Sequence, residues 1–190
     1  MRVRLSWRLG AAMAAIACAA VATAGPDSAE LDRPVKDFTL KDLMGGKEVS
    51  LSQFKGKPVV LSFISYHCDT TWRYERRMGK LIGDYSRKGV VFLNVNSNAN
   101  DTPDGIKKYV EARNLTIPLL KDSGNRVADY FGTPVTPTFY VIDKEGVLRY
   151  RGSYDDNREE AQATKQYVTP ALDAVIASRP VTTKEHRAFG

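Results

Sequence analysis

Residues 59–72 read VVLSFISYHCDTTW, and this stretch decides the fold. Its first half, residues 59–65, is almost continuously apolar, which is typical of a strand buried on both faces of a parallel or mixed sheet. A helix is predicted directly after it, with apolar residues at helical spacing: Tyr74, Met78, Leu81, Ile82 and Tyr85. Its basic residues are predicted to form the opposite, solvated face: Arg73, Arg76, Arg77 and Lys80. Cys68 therefore stands where a buried strand meets a helix.

Segments on both sides of this stretch complete an α/β pattern. Before it, a hairpin is predicted from residues 37–40 and 48–51, since Gly45 and Gly46 supply the turn, and residues 52–57 are predicted as a further turn. After it, extended segments are predicted at 90–95, 117–120, 138–142 and 147–151. Helices are predicted after the cap at Thr102-Pro103, over 123–131 and over 160–178, the last with a restart at Thr169-Pro170. This order predicts a central mixed sheet with helices on both faces and an N-terminal hairpin.

The first 24 residues have the pattern of a secretory signal peptide, because Arg2, Arg4 and Arg8 precede an Ala-rich apolar run. Cleavage is expected after Ala24. Two alternatives stay open: the segment remains as an uncleaved anchor, or Cys18 carries a lipid. The protein is expected to be exported, periplasmic or extracellular, and to meet a membrane only in those two cases. The predicted segments are the signal peptide over 1–24, a linker over 25–36, one domain over 37–180 and a C-terminal tail over 181–190.

The charge and the cysteine content limit the classes of function that this chain can have. The chain carries 28 basic and 22 acidic residues, and removal of the three arginines of the signal peptide lowers the net charge from +6 to +3. So small a surplus gives no reason to expect nucleic-acid binding. Without the first 24 residues Cys68 is the single cysteine, so no intramolecular disulfide is expected. A helix N-terminus favours the reactive thiolate, which His67 and the nearby arginines would support and Asp69 would oppose.

Three segments in order resemble the thioredoxin-like superfamily, specifically its exported redoxin or peroxiredoxin-like branch of AhpC/TSA type. They are VSLSQFKGKPVVLSFISYHCDTTW (49–72), TPVTPTFYVID (133–143) and GVLRYRGSYDDNR (146–158). The resemblance spans residues 34–188 and implies the thioredoxin-like fold. By this resemblance Cys68 is the nucleophile. Thr136-Pro137 corresponds to the cis-proline pair whose backbone faces the sulfur and orients the substrate.

The sequence departs from the pattern of this family at several positions. Thr71 stands where a thioredoxin has its second cysteine, and a Cys-x-x-Thr site cannot close the internal disulfide of dithiol exchange. Ser65 fits the peroxiredoxin pattern three residues before the cysteine, but Leu61 stands where that pattern has proline. Members of the branch often continue past the equivalent of Phe189-Gly190 into Cys-x-Ile-Lys. A resolving cysteine beyond Gly190 therefore stays open.

Further site residues each have a structural alternative. His67, Arg149 and Arg151 are candidates to stabilise the thiolate, against the alternative that they are ordinary solvated side chains. Cys68 itself could be a small buried residue, since cysteine is often buried. The Asn-rich stretch 94–104 is interpreted as a loop, because it lacks the glycine of a calcium loop. No metal site is predicted, because Cys68, His67 and His186 do not form a chelating set.

These observations predict an exported thiol-dependent oxidoreductase with an antioxidant, peroxidase-like activity and no cofactor. Its Cys68 attacks a peroxide or an oxidised thiol and becomes a sulfenic acid or a mixed disulfide. Thr71 lies near the sulfur, and an external thiol or a partner redox protein restores the enzyme. The alternative is a non-enzymatic binding module that keeps the fold and has lost the redox cycle. A copper-carrying chaperone is the least favoured reading. The Thr136-Pro137 bond is predicted to be cis and close to Cys68.

Overall fold

A computed structural model describes residues 28–115 and 118–190, and its strands form one mixed sheet. The strand order across the sheet is β2-β1-β5-β4-β3-β6-β7-β8. The strands are β1 (Thr39–Asp42), β2 (Glu48–Ser50), β3 (Val59–Phe63), β4 (Val91–Asn96), β5 (Leu119–Lys121), β6 (Thr138–Ile142), β7 (Leu148–Gly152) and β8 (Glu185–His186). The helices are α1 (Asp69–Ser86), α2 (Pro103–Ala112), α3 (Arg126–Phe131) and α4 (Val168–Ile176), with short 3-10 helices at Leu51–Phe54 and Glu160–Gln162.

The central strand β3 is the apolar run that opened the sequence. It pairs parallel to β4 and antiparallel to β6, and all its residues are buried. Val60 and Ile64 pack on one side with Tyr74 and Met78 of α1, while Phe63 packs on the other side with residues such as Phe131 of α3. The predicted mixed sheet with helices on both faces is therefore confirmed.

Local signals fix the ends of the helices. The Thr102 side chain accepts a hydrogen bond from the Gly105 N–H at 3.1 Å and so caps α2, with Pro103 in the first helical position. Gly132 ends α3 in the left-handed conformation at φ +62°, which a residue without a Cβ adopts at little cost. Both helices begin or end where the sequence predicts within a few residues.

The two terminal segments depart from expectation. The described part of the expected linker packs against the domain: Ala29 is buried, and its N–H bonds the Tyr130 carbonyl at 2.7 Å. The expected tail instead adds β8, parallel to β7, with Glu185 opposite Arg151. The reason is that an edge strand such as β7 leaves backbone groups that a neighbouring segment can pair with. The signal peptide and Cys18 lie outside the described residues.

Two predictions about helices are corrected. The restart expected at Thr169-Pro170 within the helical region 160–178 lies earlier: residues 163–167 are outside any helix, Gln166 forms an isolated bridge with Asp155, and α4 begins at Val168. On α1, Arg77 does not join the solvated basic face: it is only 4% exposed, because it pairs with the buried Asp155. Among the described residues, no helix combines the length and apolar character needed to cross a bilayer.

Candidate functional site

Cys68 occupies the N-cap position of α1, as the sequence predicts. The chain leaves β3 at Phe63 and turns through residues 64–67, and the Cys68 N–H closes this turn on the Ser65 carbonyl at 3.2 Å. The sulfur is partly buried, and Cys68 is free. The helix that follows directs its unpaired N–H groups and the positive end of its dipole toward this position, which favours a negative charge there.

The loop before β6 forms the second wall of the site. The Thr136-Pro137 peptide bond is cis, as predicted. The Cys68 sulfur donates a hydrogen bond to the Thr136 carbonyl oxygen at 3.0 Å. The two segments, 68 residues apart in the chain, meet because β3 and β6 are neighbours, with Phe63 opposite Thr138. The thiol thus faces the backbone of the cis-proline loop.

Thr71 lies one helical turn after Cys68 and is buried. Its hydroxyl accepts a long hydrogen bond, 3.5 Å, from the Ser65 N–H. Thr71 is the third residue after Cys68, which is the sequence position of the second cysteine in a dithiol site. The Thr71 hydroxyl therefore links the start of α1 to the segment that follows β3.

His67 is held by a residue that the sequence analysis did not select. Its Nδ1 bonds a carboxylate oxygen of Asp101. The His67 side chain is 54% exposed, whereas the Asp101 side chain is 0% exposed. Asp101 lies in the loop after β4, which the sequence interpretation treated only as a polar connection. The available signal was positional: β3 and β4 are parallel, so the residues that follow them meet at one edge of the sheet.

The His67–Asp101 pair belongs to a larger hydrogen-bond network around the turn that precedes Cys68. The Asp101 carboxylate also accepts the Tyr66 N–H at 3.0 Å and the side-chain amide of Asn96. The Asn98 amide donates to the Ser65 hydroxyl at 2.9 Å. Lys121 closes the network from β5, and burial lowers the pKa of its ammonium group. The sequence-predicted loop 94–104 is therefore the part of the site that positions the turn.

The two candidate arginines lie elsewhere. Arg149 donates to Asp143 at 2.6 Å and to Asp32 at 3.0 Å, at the end of β6 opposite to Thr136. Six residues of extended chain separate these two ends, which is roughly 20 Å. Arg149 therefore cannot stabilise the thiolate, and its predicted role is corrected. Arg151 bonds Glu185 at 2.9 Å, so its charge is already paired.

The C-terminal segment borders the same loop. A cleft of about 750 Å³ lies between the cis-proline loop, with Pro134 and Val135, and the edge of the sheet, with Arg151 of β7 and Arg187 just after β8. At the end of this segment Gly190 lies so close to the Thr136 carbonyl oxygen that an added Cβ would touch it. The backbone of the C-terminal segment therefore reaches the carbonyl that also binds the Cys68 thiol.

Over residues 28–115 and 118–190, no three His, Cys, Asp or Glu side chains come together as a metal-binding group. His186 stacks on Tyr167 with ring centroids 4.1 Å apart and bonds the Ser153 hydroxyl, so it lies apart from His67 and Cys68. The described site is therefore built from one thiol, one imidazole–carboxylate pair and two backbone turns.

The sequence is similar to those of known redox proteins. The sequence model of the AhpC/TSA family matches residues 31–151. Thiol-disulfide oxidoreductase ResA of Bacillus thuringiensis subsp. konkukian is 28% identical over 141 residues, which cover 74% of this chain and 80% of that protein. The chloroplastic peroxiredoxin Q of Triticum aestivum is 37% identical over 121 residues, which cover 60% of this chain but only 54% of that protein.

Solved structures are similar over most of the chain. An uncharacterized conserved protein from Geobacillus kaustophilus shares 31% identity with a TM-score of 0.75, covering 82% of this chain and 87% of that one. The exposed lipoprotein thioredoxin of Streptococcus pneumoniae shares 25% identity with a TM-score of 0.55, covering 66% of this chain and 95% of that one. The similarity to this thioredoxin confirms the predicted thioredoxin-like fold class.

Proposed function

Because the chain belongs to the AhpC/TSA family, we propose that it is an exported thiol oxidoreductase in which Cys68 reduces a peroxide or an oxidised thiol. The observation that supports this most is the position of the sulfur. Cys68 stands at the N-cap position of α1, is partly exposed, and directs its sulfur to the Thr136 carbonyl of the cis-proline loop. A cysteine kept only for packing has no need of a helix N-terminus or of an open face.

The proposed reaction begins at the Cys68 thiolate. The thiolate attacks the outer oxygen of a hydroperoxide, the S–O bond forms, and the O–O bond breaks. Sulfur is oxidised to a sulfenic acid, and the peroxide is reduced to an alkoxide, which takes up one proton and leaves as an alcohol. With a disulfide substrate, the same thiolate forms a mixed disulfide and releases a thiolate, which also takes up a proton.

Regeneration is proposed to need a second molecule. Cys68 is the one cysteine among residues 28–115 and 118–190, and Thr71 stands at the position of a second thiol. An external thiol or a partner redox protein would therefore attack the sulfenic acid, release water and form a mixed disulfide, which a further thiol resolves. The ResA relative carries the name thiol-disulfide oxidoreductase, which supports thiols and disulfides as the class of partner.

The substrate is proposed to lie on the cis-proline loop. An extended peptide or small disulfide could pair with the Thr136 backbone and present its reacting sulfur to Cys68. Thr71 holds the start of α1 to the Ser65 backbone through its hydroxyl. The predicted signal peptide over 1–24 supports a location outside the cytoplasm, where partner disulfides persist.

Limiting peroxide tests the proposal directly. Purified protein is treated with substoichiometric hydrogen peroxide and then with dimedone, and peptide mass spectrometry locates the adduct. The adduct is expected at Cys68 and is expected to be absent from Cys68→Ser. Thr164→Ser is a matched surface control, because its hydroxyl lies in a distant loop, and it should behave as the wild type. A parallel incubation with glutathione disulfide measures mixed-disulfide formation at Cys68.

A non-enzymatic binding module is the second candidate, and two observations favour it. The Thr136 carbonyl already accepts the thiol, and the backbone of Gly190 lies against the same carbonyl. In that case the folded protein would resist both peroxide and glutathione disulfide at neutral pH, while the unfolded protein would react. That result would refute the oxidoreductase function and support the binding module.

A further inference from the structure

Residues 187–190 lie on the cis-proline loop beside the reactive cysteine, and they are called the covering segment below. A Cβ added to Gly190 would collide with the Thr136 carbonyl oxygen and stand 3.2 Å from the Val135 Cβ. The same carbonyl oxygen accepts the Cys68 thiol at 3.0 Å. The covering segment is therefore in contact with the backbone group to which the reactive sulfur points.

The chain just before the covering segment is firmly anchored. β8 pairs with β7, and the Arg151 N–H donates to the Lys184 carbonyl at 3.0 Å. The His186 ring stacks on Tyr167 with the centroids 4.1 Å apart, and its Nδ1 bonds the Ser153 hydroxyl at 2.9 Å. These contacts fix the point at which the covering segment leaves the sheet. The segment is thus present at a high effective concentration beside the cis-proline loop.

The covering segment itself is held by packing alone. Within the part of the chain that the structure describes, residues 187–190 take part in no hydrogen bond and no ion pair. Their large apolar side chain is that of Phe189, which is partly buried and packs against the core cluster that contains Ile64 and Tyr74. Partial burial of one aromatic ring is a modest stabilisation. The segment can therefore leave the loop while β8 stays paired.

An extended substrate needs the place that the covering segment occupies. In the function proposed above, such a substrate pairs with the Thr136 backbone, and a hydrogen bond to this carbonyl requires a donor nitrogen at about 3 Å. The Gly190 backbone leaves no space even for a methyl group beside the same oxygen, so a second chain cannot lie there. Cys68, by contrast, stays partly exposed with the segment in place. The segment thus excludes an extended chain but not a small reagent.

We propose that the covering segment competes with the substrate for the cis-proline loop and that an extended peptide disulfide must displace it before Cys68 can attack, an inference that rests on the oxidoreductase function proposed above. The cleft of about 750 Å³ adjoins the segment, with Val135 on one side and Arg187 and Ala188 on the other. Displacement joins this cleft to the space beside Thr136. The fraction of molecules with the segment displaced sets the rate with a peptide, whereas a small reagent reacts with every molecule.

Two disulfide reagents with the same leaving group separate access to the sulfur from access to the cis-proline loop. The small reagent is dithiodipyridine, and the large one is a short extended peptide whose central cysteine carries a thiopyridyl group. In each reaction the Cys68 thiolate forms a new S–S bond, the S–S bond to the leaving pyridyl sulfur breaks, and the released thiolate takes up a proton to become thiopyridone. The absorbance of thiopyridone gives both rates, and Cys68→Ser gives the background.

The variants change the covering segment and keep the full chain. Gly190→Ala adds a methyl group that collides with the Thr136 carbonyl, so the segment must move away from it. Phe189→Ala removes the apolar anchor. The double variant combines the two changes. Phe54→Ala is the matched control, because Phe54 is also a partly buried phenylalanine but packs against the core cluster on the other side of the sheet.

The expected result is a selective gain. The ratio of the peptide rate to the dithiodipyridine rate should rise about tenfold in the double variant, because both changes favour the displaced segment. Each single variant should show a smaller rise. The dithiodipyridine rate should stay within about threefold of the wild type in every variant, since the sulfur is already accessible. Phe54→Ala should keep the wild-type ratio.

The failures are distinguishable. If Cys68 reacts but the double variant keeps the wild-type ratio, the covering role is refuted while the oxidoreductase function stands. An equal gain with both reagents would mean that the segment shields the sulfur itself, and the same rise in Phe54→Ala would mean a general loosening of the fold; either result would overturn the inference. If Cys68 reacts with neither reagent in the wild type and in the double variant, the proposed function fails, and the covering role fails with it.

Discussion

Replacement of Arg77 by methionine tests how α1, which carries Cys68 at its N-terminus, is held to the sheet. Arg77 lies inside the protein and reaches the loop after β7. Its guanidinium group donates to the Asp155 carboxylate, to the Asn157 carbonyl at 2.9 Å and to the Arg158 carbonyl. It also stacks on Tyr74, 3.7 Å from the ring centroid. Methionine keeps much of the volume but removes the charge and every donor.

The expected loss follows from the groups left behind. Asp155 is fully buried and would keep the Tyr74 hydroxyl as its donor, but not a cation. Removal of one partner of a buried ion pair costs about 3–5 kcal/mol, because the remaining charge is uncompensated. The two backbone carbonyls that lose a donor add to this cost. For a domain of this size the loss corresponds to a fall in Tm of about 6–20 °C.

Urea unfolding at pH 7 measures the effect, with Arg76→Met as the matched control. Arg76 is the next residue on α1 and pairs with Glu160, but its side chain is 79% exposed, so its loss should cost less than about 1 kcal/mol. The double variant Arg77→Met with Asp155→Asn should cost less than the sum of the single changes by about 1–3 kcal/mol. Equal small losses for Arg76→Met and Arg77→Met would refute the reasoning.

Two further predictions concern the loop after β7 and the C-terminal segment. Hydrogen bonds from the Thr164 side chain and from nearby backbone lower the pKa of Asp156 to about 2, so Asp156→Asn should lower the urea midpoint at pH 5, and this difference should vanish as the pH falls from about 4 to about 2; a constant difference would contradict it. In Gly190→Cys the new Cβ would lie within about 6 Å of the Cys68 sulfur, and the C-terminal backbone must shift slightly to free it from the Thr136 carbonyl. Mild oxidation should then join the two cysteines, as shown by a mass loss of two hydrogens and the loss of both alkylable thiols, whereas Ser178→Cys should stay unpaired.

Most of the fold could be predicted because its signals are local. The apolar run that became β3 has no polar face, so it had to lie in the centre of a covered sheet. Thr102 and Gly132 mark helix ends through their own side-chain or backbone chemistry. The place of Cys68 follows from the same adjacency of strand and helix. The cis bond before Pro137 came from the family resemblance and not from the local pattern.

The errors share a physical cause, which is that a side chain's partner lies far away in sequence. Helical periodicity classed Arg77 as solvated, since only the fold brings Asp155 to it from 78 residues away. Asp101 was passed over because its partner His67 lies 34 residues earlier. The strand β8 is only Glu185–His186, too short for an alternating pattern, and it forms because β7 offers a free edge. A local stretch of sequence cannot predict such pairing, because only the fold brings the partners together.

The proposed reaction has two halves with different requirements, namely the oxidation of Cys68 and its reduction back to the thiol. A dithiol site draws its second electron pair from a neighbouring cysteine, but Thr71 occupies that position here. Electrons for the second half must then come from an external thiol. Reductant concentration should therefore control the rate at which Cys68 is restored and leave unchanged the rate at which it is oxidised. A single-turnover oxidation whose rate does not depend on reductant is what this division of roles requires.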